Sequence, residues 1–539
     1  MKQNFGEASN IRSNFRESTV FDINQFTIEE EVKSLKTSKS LDNPSGTFNI
    51  SLFPTQSWKE KIAPGDWVAI YMFNRLETRT AGPIDSRNLV MLGNVDRISR
   101  NLEREEDSDK IKLKYEVSGR SFGKVFEDIN VWYDPYANQD ILIDVALRTA
   151  GLEMTGNPTS QVTQLLNVFL GNGQQFEKEK TSPLNQYRIP TAVAAIFNKT
   201  STRGVVSSNV LRDNPSFYDI LVQKIEPGLP GYRDRNMISA EDNGNLWENL
   251  QRASNDLVNE IFLEDVRGSD GTARPTIVLR PRPLNTPFFD SQFGLEKNQV
   301  KPRLNGKFKT LQELAEESFV EISQGEIFLE DLGRDDHSRF NMFWLTSNRS
   351  EQWNQSTYSH LRSVGAVGNP FVLRESVTRH GLKKMTSQWD FDRVDKNGGS
   401  AKNRETDLFK AFMVQNYDQN YANHLYDAGT IETSGVLEAE LGKALVLLPD
   451  ANTNNKKKIF YIQGYEHEWS FPNTWRTMFS VTHGQFKTQD LNIFIGLGIG
   501  TKDNSDRGTL DKAFDSAYIA KTQTNNKDKN PASKSEGKK

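Results

Sequence analysis

The chain contains no cysteine. Disulfides, thiolate metal sites and cysteine nucleophiles are excluded at the outset, and a fold held without thiol chemistry behaves alike inside and outside a cell. Histidine is scarce, with six residues in 539, so few imidazole ligand sets can be assembled. A strong charge bias is also missing. The formal net charge of −4 lacks the basic excess that a general nucleic-acid binder carries. No apolar run reaches the ~20 residues of a membrane-spanning helix, and residues 1–10 lack a charged start followed by an apolar core. The expectation is a chain folded in a cytoplasm without an export address of its own. Neither G-x-x-x-x-G-K-[ST] nor G-x-S-x-G occurs, which removes the usual signals of phosphate-cradling and nucleophile-elbow enzymes.

What is present describes a folded body with much wetted surface. Hydrophobic residues make up 36%, aromatics 10%, and the mean hydropathy is −0.65. The aromatic share is too high for a disordered chain, and the length suggests about three or four domains.

Residues 21–119 read as β. In "SGTFNISLFP", Phe48, Ile50 and Leu52 alternate with Thr47, Asn49 and Ser51, the period of a half-buried strand. Pro64-Gly65-Asp66 is a turn signal before the strand Trp67-Val68-Ala69-Ile70-Tyr71, and "NLVMLGNVDRISRNLE" and "KIKLKYEVSGRS" continue the run. The period then changes. Ile141, Val145 and Leu152 share a helical stripe, residues 161–177 and 215–225 read as partly helical, and Leu246, Leu250, Leu257 and Ile261 keep helical spacing. "RPTIVLRPRP" is a strand stopped by proline, and the stretch around "EIFLEDLGRDDHSRFNMFWLTS" is strand-rich with a polar turn at residues 333–337. A helix closed by Gly429 is expected before residues 430–486 return to β, with Lys456, Lys457 and Lys458 at a loop tip. From Thr522 onward hydrophobic residues almost vanish, so a flexible polar tail is expected.

"YEHEWSFPNTW", residues 465–475, begins like a zinc-protease helix, since His467-Glu468 opens H-E-x-x-H. Position 471 is Phe rather than the second His, and Pro472 opposes a helix. The reading is an alternating strand with Tyr465, His467 and Trp469 on one face. A looser site from His467, His483 and a carboxylate is the competing idea. The acid pairs Glu264-Asp265 and Asp335-Asp336 suit glycoside hydrolysis in principle, but among 71 carboxylates they read as solvated turns. "GLGIG" at residues 496–500 has the spacing G-x-G-x-G, reads as a flexible joint, and offers Phe494, Ile495 and Leu497 as candidate partner contacts. The basic end, residues 527–539, is diluted by Asp528 and Glu536 and reads as solubilising.

Several blocks together resemble the tail-hub proteins of phages and related contractile injection machines. They are "SGTFNISLFPTQSWKEKIAPGDWVAIYM", "LWENLQRASNDLVNEIFLEDVRGSDGTARPTIVLRPRPL", "LGRDDHSRFNMFWLTS" and "GTIETSGVLEAELGKALVLL…KKIFYIQGYEHEWSFPNTWRTMFSVTHGQF". They occur in the family's order and span most of residues 21–486; residues 155–240 and 350–405 match no block. The resemblance implies a mainly β fold with α/β insertions, in which two tail-tube-like β-barrel domains and a mixed α/β domain share one chain. It divides the chain into a first barrel (1–126), a helical or irregular insertion (127–240), a helix-strand block contributing to the second barrel (241–350), an insertion with a helix (351–430), closing strands (431–490), and a Gly-rich joint with a tail (491–539). It implies a homotrimer that joins a sixfold tail tube protein to a threefold central spike protein in the baseplate of a virion tail. The tape measure protein and other baseplate proteins are partners, and DNA is passing cargo only. Neither enzymatic activity nor a cofactor or metal is implied. A hub carrying a peptidoglycan hydrolase in one of the unmatched insertion regions, or a β-rich carbohydrate-binding tail-tip adhesin, are the competing readings.

Overall fold

Alternating apolar residues at the two ends of the chain build two β modules, and the modules share one sheet. The computed structural model describes residues 28, 31–72, 86–104, 111–130, 158–171, 189–198, 217–229, 244–284, 310–347, 371–389, 416, 419–449 and 457–486, with 257, 269, 270, 272, 373 and 473 left out. Phe494, Ile495, Leu497, the helix read at residues 141–152 and the polar tail lie outside the described residues.

The N-terminal module consists of β1 (Val32–Ser40), β2 (Asn43–Leu52), β3 (Trp67–Tyr71), β4 (Leu89–Arg104) and β5 (Ile111–Ser121). The strands read from the sequence are all there. Phe48 and Leu52 are buried while Thr47 and Asn49 face solvent, as the period of two requires. The turn at Gly65 has φ of 93°, which glycine adopts without strain, and Asp66 closes it by accepting the Ala63 amide at 2.7 Å. The module's core gathers Leu35, Phe48, Leu52, Trp58, Ile70, Met91, Val95 and Val117.

After β6 (Val222–Ile225), β7 (Asn259–Arg267) and β8 (Ala273–Pro281), the C-terminal module comprises β9 (Phe319–Ile322), β10 (Ile327–Gly333), β14 (Asp427–Ser434), β15 (Ala444–Leu447), β16 (Lys458–Ser470) and β17 (Thr474–Phe486). Its strands join the N-terminal ones through β1 and β16. These pair antiparallel from Ser34 opposite Ser470 to Ser40 opposite Gly464. The result is an eleven-stranded sheet ordered β10-β14-β17-β16-β1-β2-β5-β4-β3, with β15 branching from β16 and β9 pairing with β15. A second sheet, β6-β8-β7, lies in the interior, and a third pairs β11 (Met342–Ser347) with β12 (Phe371–Val372) and β13 (Lys384–Trp389). The chain is mainly β with α/β additions.

β7 and β8 are buried on both faces. Ile261, Leu263, Ile277 and Leu279 pack on a helical core with Val162, Leu165, Phe217, Leu246 and Leu250, whereas Phe262 and Val278 pack on the C-terminal module. Burial on both sides explains a correction to the sequence reading. The helix that starts at Leu246 ends at Ser254, where Asn255 takes φ of 59°, and Ile261 belongs to β7. Residues 215–225 likewise split into a one-turn helix, Phe217–Ile220, and β6. Residues 161–177 are helical in part, through Pro158–Leu166 and a wider turn to Gly171. Gly429 does not close a helix. It sits inside β14, where a Cβ would lie 2.0 Å from the Asp331 carbonyl oxygen, so the close approach of β10 demands glycine. Lys458 opens β16 rather than tipping a loop.

Candidate functional site at the module junction

β7 runs between the two modules, and its alternation decides what faces them. Glu260, Phe262, Glu264 and Val266 share one side. Two carboxylates therefore flank Phe262 on the face that meets β16. Each is met by a tyrosine: the Tyr461 hydroxyl donates to Glu260 Oε2 at 2.6 Å and the Tyr465 hydroxyl to Glu264 Oε1 at 3.1 Å. The tyrosines are four residues apart on β16, as the glutamates are on β7.

Each carboxylate also has a cation. Arg280, on β8, donates from Nε to Glu260 Oε1 at 2.7 Å. Lys39, on β1, places Nζ 2.5 Å from Glu264 Oε1 and 2.8 Å from Asp265 Oδ2. The three side chains of this second group are 3%, 0% and 2% exposed, so they form a sealed ionic cluster. Glu264 is held further by the Leu441 amide, which donates to Oε2 at 2.8 Å, and by the Asp265 amide on Oε1 at 2.7 Å. Gly46 makes room for the lysine stem, since a Cβ there would lie 2.6 Å from Lys39 Cγ.

The electrostatics follow from burial and pairing. Burial alone lowers the Lys39 ammonium, but Asp265 and Glu264 outweigh it and hold the group well above its ordinary value. Burial raises the Asp265 carboxyl, an effect only partly opposed by Lys39. Burial followed by the adjoining carboxylate raises both phenols, Tyr461 through Glu260 and Tyr465 through Glu264. Arg280 behaves as Lys39 does, with Glu260 lifting it against burial.

Arg267, at the end of β7, completes the junction by bridging both modules through backbone oxygens. It donates to Arg87 O, to Leu89 O at 2.9 Å and to Leu437 O at 3.1 Å, while its own amide donates to Glu440 Oε1 at 3.0 Å. Hydrogen bonds are directional, so strand β7, through these and the buried bonds of Glu260 and Glu264, fixes how the N-terminal and C-terminal modules sit against each other.

Glu264-Asp265 is therefore no solvated turn. The pair lies in a buried strand because its partners, Lys39 and Tyr465, are more than 200 residues away in sequence. Asp335-Asp336 does form an exposed turn, with Asp336 held below the usual carboxylate range by hydrogen bonds from Lys383 and Arg339.

The "YEHEWSFPNTW" stretch is the end of β16 and its turn, as read from the alternation. His467 is buried, its Nδ1 lies 2.9 Å from Thr477 Oγ1, and its ring stands 5.2 Å from Tyr465 and 5.9 Å from Trp475. Burial keeps it neutral, lowered to about 3. Glu468 is exposed and Trp469 half-buried. Because Trp469 keeps part of its surface in water, Trp469→Ala is expected to lower stability by about 1–3 kcal/mol, below the range of a fully buried tryptophan. Glu468→Gln should leave the denaturation midpoint unchanged. Urea titrations of both variants check the pair of values. Among the described residues, no group of three or more His, Asp or Glu side chains is placed to hold a metal ion.

No protein-family model matches the chain, and no curated protein matches it by sequence. Among solved structures, the chain is similar to a tail protein from Neisseria meningitidis MC58, with 12% identity over 84% of this chain and 92% of that one, at a TM-score of 0.40. It is similar to the 43 kDa tail protein of prophage MuSo2 from Shewanella oneidensis, with 10% identity over 85% and 95%, at 0.41. A third likeness is to the E. coli c3393 protein, a type VI secretion component described as structurally similar to the T4 tail proteins gp27 and gp5. There the identity is 7% over 86% of this chain and 76% of that one, at 0.35.

Proposed function

We propose that this chain is a structural tail hub: a homotrimer at the centre of a baseplate that joins a sixfold tail tube to a threefold central spike and surrounds the channel for tape measure protein and DNA. The observation that carries the reading is the fusion of the two β modules, one from each end of the chain, through β1 and β16. Three of the four sequence blocks that resemble tail hubs fall in these modules and in the helix and β7–β8 pair between them, and the remaining one runs from the end of β10 into β11. Two modules in each of three chains make six, which is how a threefold object meets a sixfold one.

The sheet's free ends support assembly. β3 and β10 terminate the strand order, and β10 exposes Phe328 (59%) and Leu329 (53%) beside an edge that has no outer strand partner among the described residues. An edge of this kind is a liability in a monomer and a contact in a ring. The junction supports it as well, because a ring of six modules closes only if the two modules of each chain keep one fixed relation. A slightly acidic chain suits a channel that passes DNA without gripping it.

Electron microscopy of the purified chain, alone and mixed with its tube and spike proteins, tests the reading. Threefold rings are expected. A chain that stays monomeric at high concentration and forms rings with neither partner overturns it.

A further inference from the structure

An amine and two carboxyls sealed in a protein interior are reactants as well as an ion cluster. We propose that Lys39 and Asp265 become joined by an amide bond between Nζ and Cγ, formed by the folded chain itself with Glu264 as the acid–base group. This cross-link would tie β1 of the N-terminal module to β7 at the junction. It goes beyond the hub reading and does not depend on it.

Three observations carry the inference. First, the reacting atoms are already together. Lys39 Nζ contacts Asp265 Oδ2 at 2.8 Å, and its stem is held against Gly46, where no Cβ would fit. An amine bonded to one carboxyl oxygen stands about 3–4 Å from the carboxyl carbon, near the separation at which effective molarities become very large. Second, the acid–base group touches the reacting amine and the backbone of the acyl donor. Glu264 Oε1 lies 2.5 Å from Nζ and accepts the Asp265 amide, while Tyr465 and the Leu441 amide keep the carboxyl from swinging away. Third, water is kept out, the three side chains being at most 3% exposed, so the condensation is not opposed by bulk solvent.

The step balances without an added reagent. In the reacting form Lys39 is an ammonium, Glu264 a carboxylate and Asp265 a neutral carboxyl. One proton passes from Nζ to Glu264 Oε1, which frees the nitrogen lone pair. That pair adds to Asp265 Cγ after the carboxyl turns about Cβ–Cγ to present its face. A second proton leaves nitrogen for the Asp265 hydroxyl, the C–O bond breaks, and one water departs. The products are a secondary amide that keeps the third proton, a neutral Glu264 and one water.

The surroundings favour this course. Burial raises the Asp265 carboxyl, which promotes its neutral form. Asp265 Oδ1 makes no hydrogen bond of good geometry, so the turn costs little, and the Leu92 amide reaches the same carboxyl. Lys39 rests as an ammonium, held there by the acids. Proton transfer to Glu264 is therefore the demanding step. The reaction also exchanges a buried ion pair for neutral groups, which a low-dielectric interior favours.

Mass spectrometry of the intact, denatured full-length chain tests the proposal. The chain is expected to be lighter than its sequence by one water, and a protease digest to yield a branched peptide linking Lys39 to Asp265. Asp265→Asn should lose ammonia instead of water, which identifies residue 265 as the acyl donor. Lys39→Arg and Glu264→Gln should keep their full sequence mass. A wild-type chain at full mass, with Lys39 open to trypsin, overturns the proposal. So does a water lost as a cyclic imide with Lys39 still cleavable. Because both readings come from the unmutated chain, poor folding of a variant cannot obscure the answer.

Discussion

Lys39→Met is expected to cost about 3–5 kcal/mol of stability, the range seen when one partner of a buried ion pair is removed. The reason is what remains behind. Glu264 and Asp265 stay at 0% and 2% side-chain exposure with no counter-charge, between strands that admit no solvent. Methionine fills the stem's volume, so packing accounts for little of the loss. Adding Glu264→Gln and Asp265→Asn to the same chain should recover most of it. The amide oxygens can still accept from Tyr465 and Leu441, and the stranded charges are gone. Urea midpoints of the single and triple variants measure both values. A Lys39→Met chain as stable as wild type would show that the carboxyls take up protons freely and that the junction is not ionic. An amide at Lys39 adds to the loss, since the variant would also free the unfolded chain from a long closed loop.

The second large effect is acid lability. His467 is buried and His483 half-buried, and both are neutral, with desolvation lowering them to about 3 and about 4. Unfolded, each titrates near 6.5, so below that pH the unfolded chain binds protons that the folded chain refuses. Stability is present in full above about pH 6.5 and is lost as the pH falls towards the folded values. At pH 5 each histidine has removed about 2 kcal/mol, or about 4 kcal/mol together, relative to pH 7. Asp265 and Glu440 act in the opposite sense, because burial raises both and their protonation favours the folded chain at low pH. The comparison that isolates one histidine is therefore His467→Gln, whose loss between pH 7 and 5 should be smaller by about 2 kcal/mol. Equal losses in wild type and variant would mean that His467 is not buried in the neutral form.

The first effect arises where sequence reading was weakest. Strands with one wet face were legible: Phe48, Ile50 and Leu52 announce β2 because solvent on the other side enforces alternation. β7 was not legible, because both its faces are covered and its apolar run merges with the helix before it. Only the left-handed Asn255 separates them. Gly429 looked like a helix terminator, and the distinction needed the approach of β10, a fact about space. The junction was hidden for the same reason. Glu264-Asp265 is an unremarkable acid pair until β1 brings Lys39 against it. One signal was available. Charges set within "NEIFLEDVR", a strand otherwise apolar, have to be neutralised somewhere, and the sequence could say that without saying by what.

The pairing of β1 with β16 also sets an order in time. Ser40 is made roughly 400 residues before Gly464 opposite it, a delay of about 20–80 s at ordinary rates of synthesis. Throughout that interval the N-terminal module shows the bare side of β1 to the cell. The strand reads V-K-S-L-K-T-S-K-S, and lysines at 33, 36 and 39 are the residues that keep an open edge from joining the wrong neighbour. Lys39 thus has two employments in succession, first as a guard on an unfinished sheet and then as the buried partner of Glu264 and Asp265 at the junction. The C-terminal module is not complete until its last strands have left the ribosome, so a truncated chain leaves β1 an open edge and presents no joined pair of modules to a growing particle.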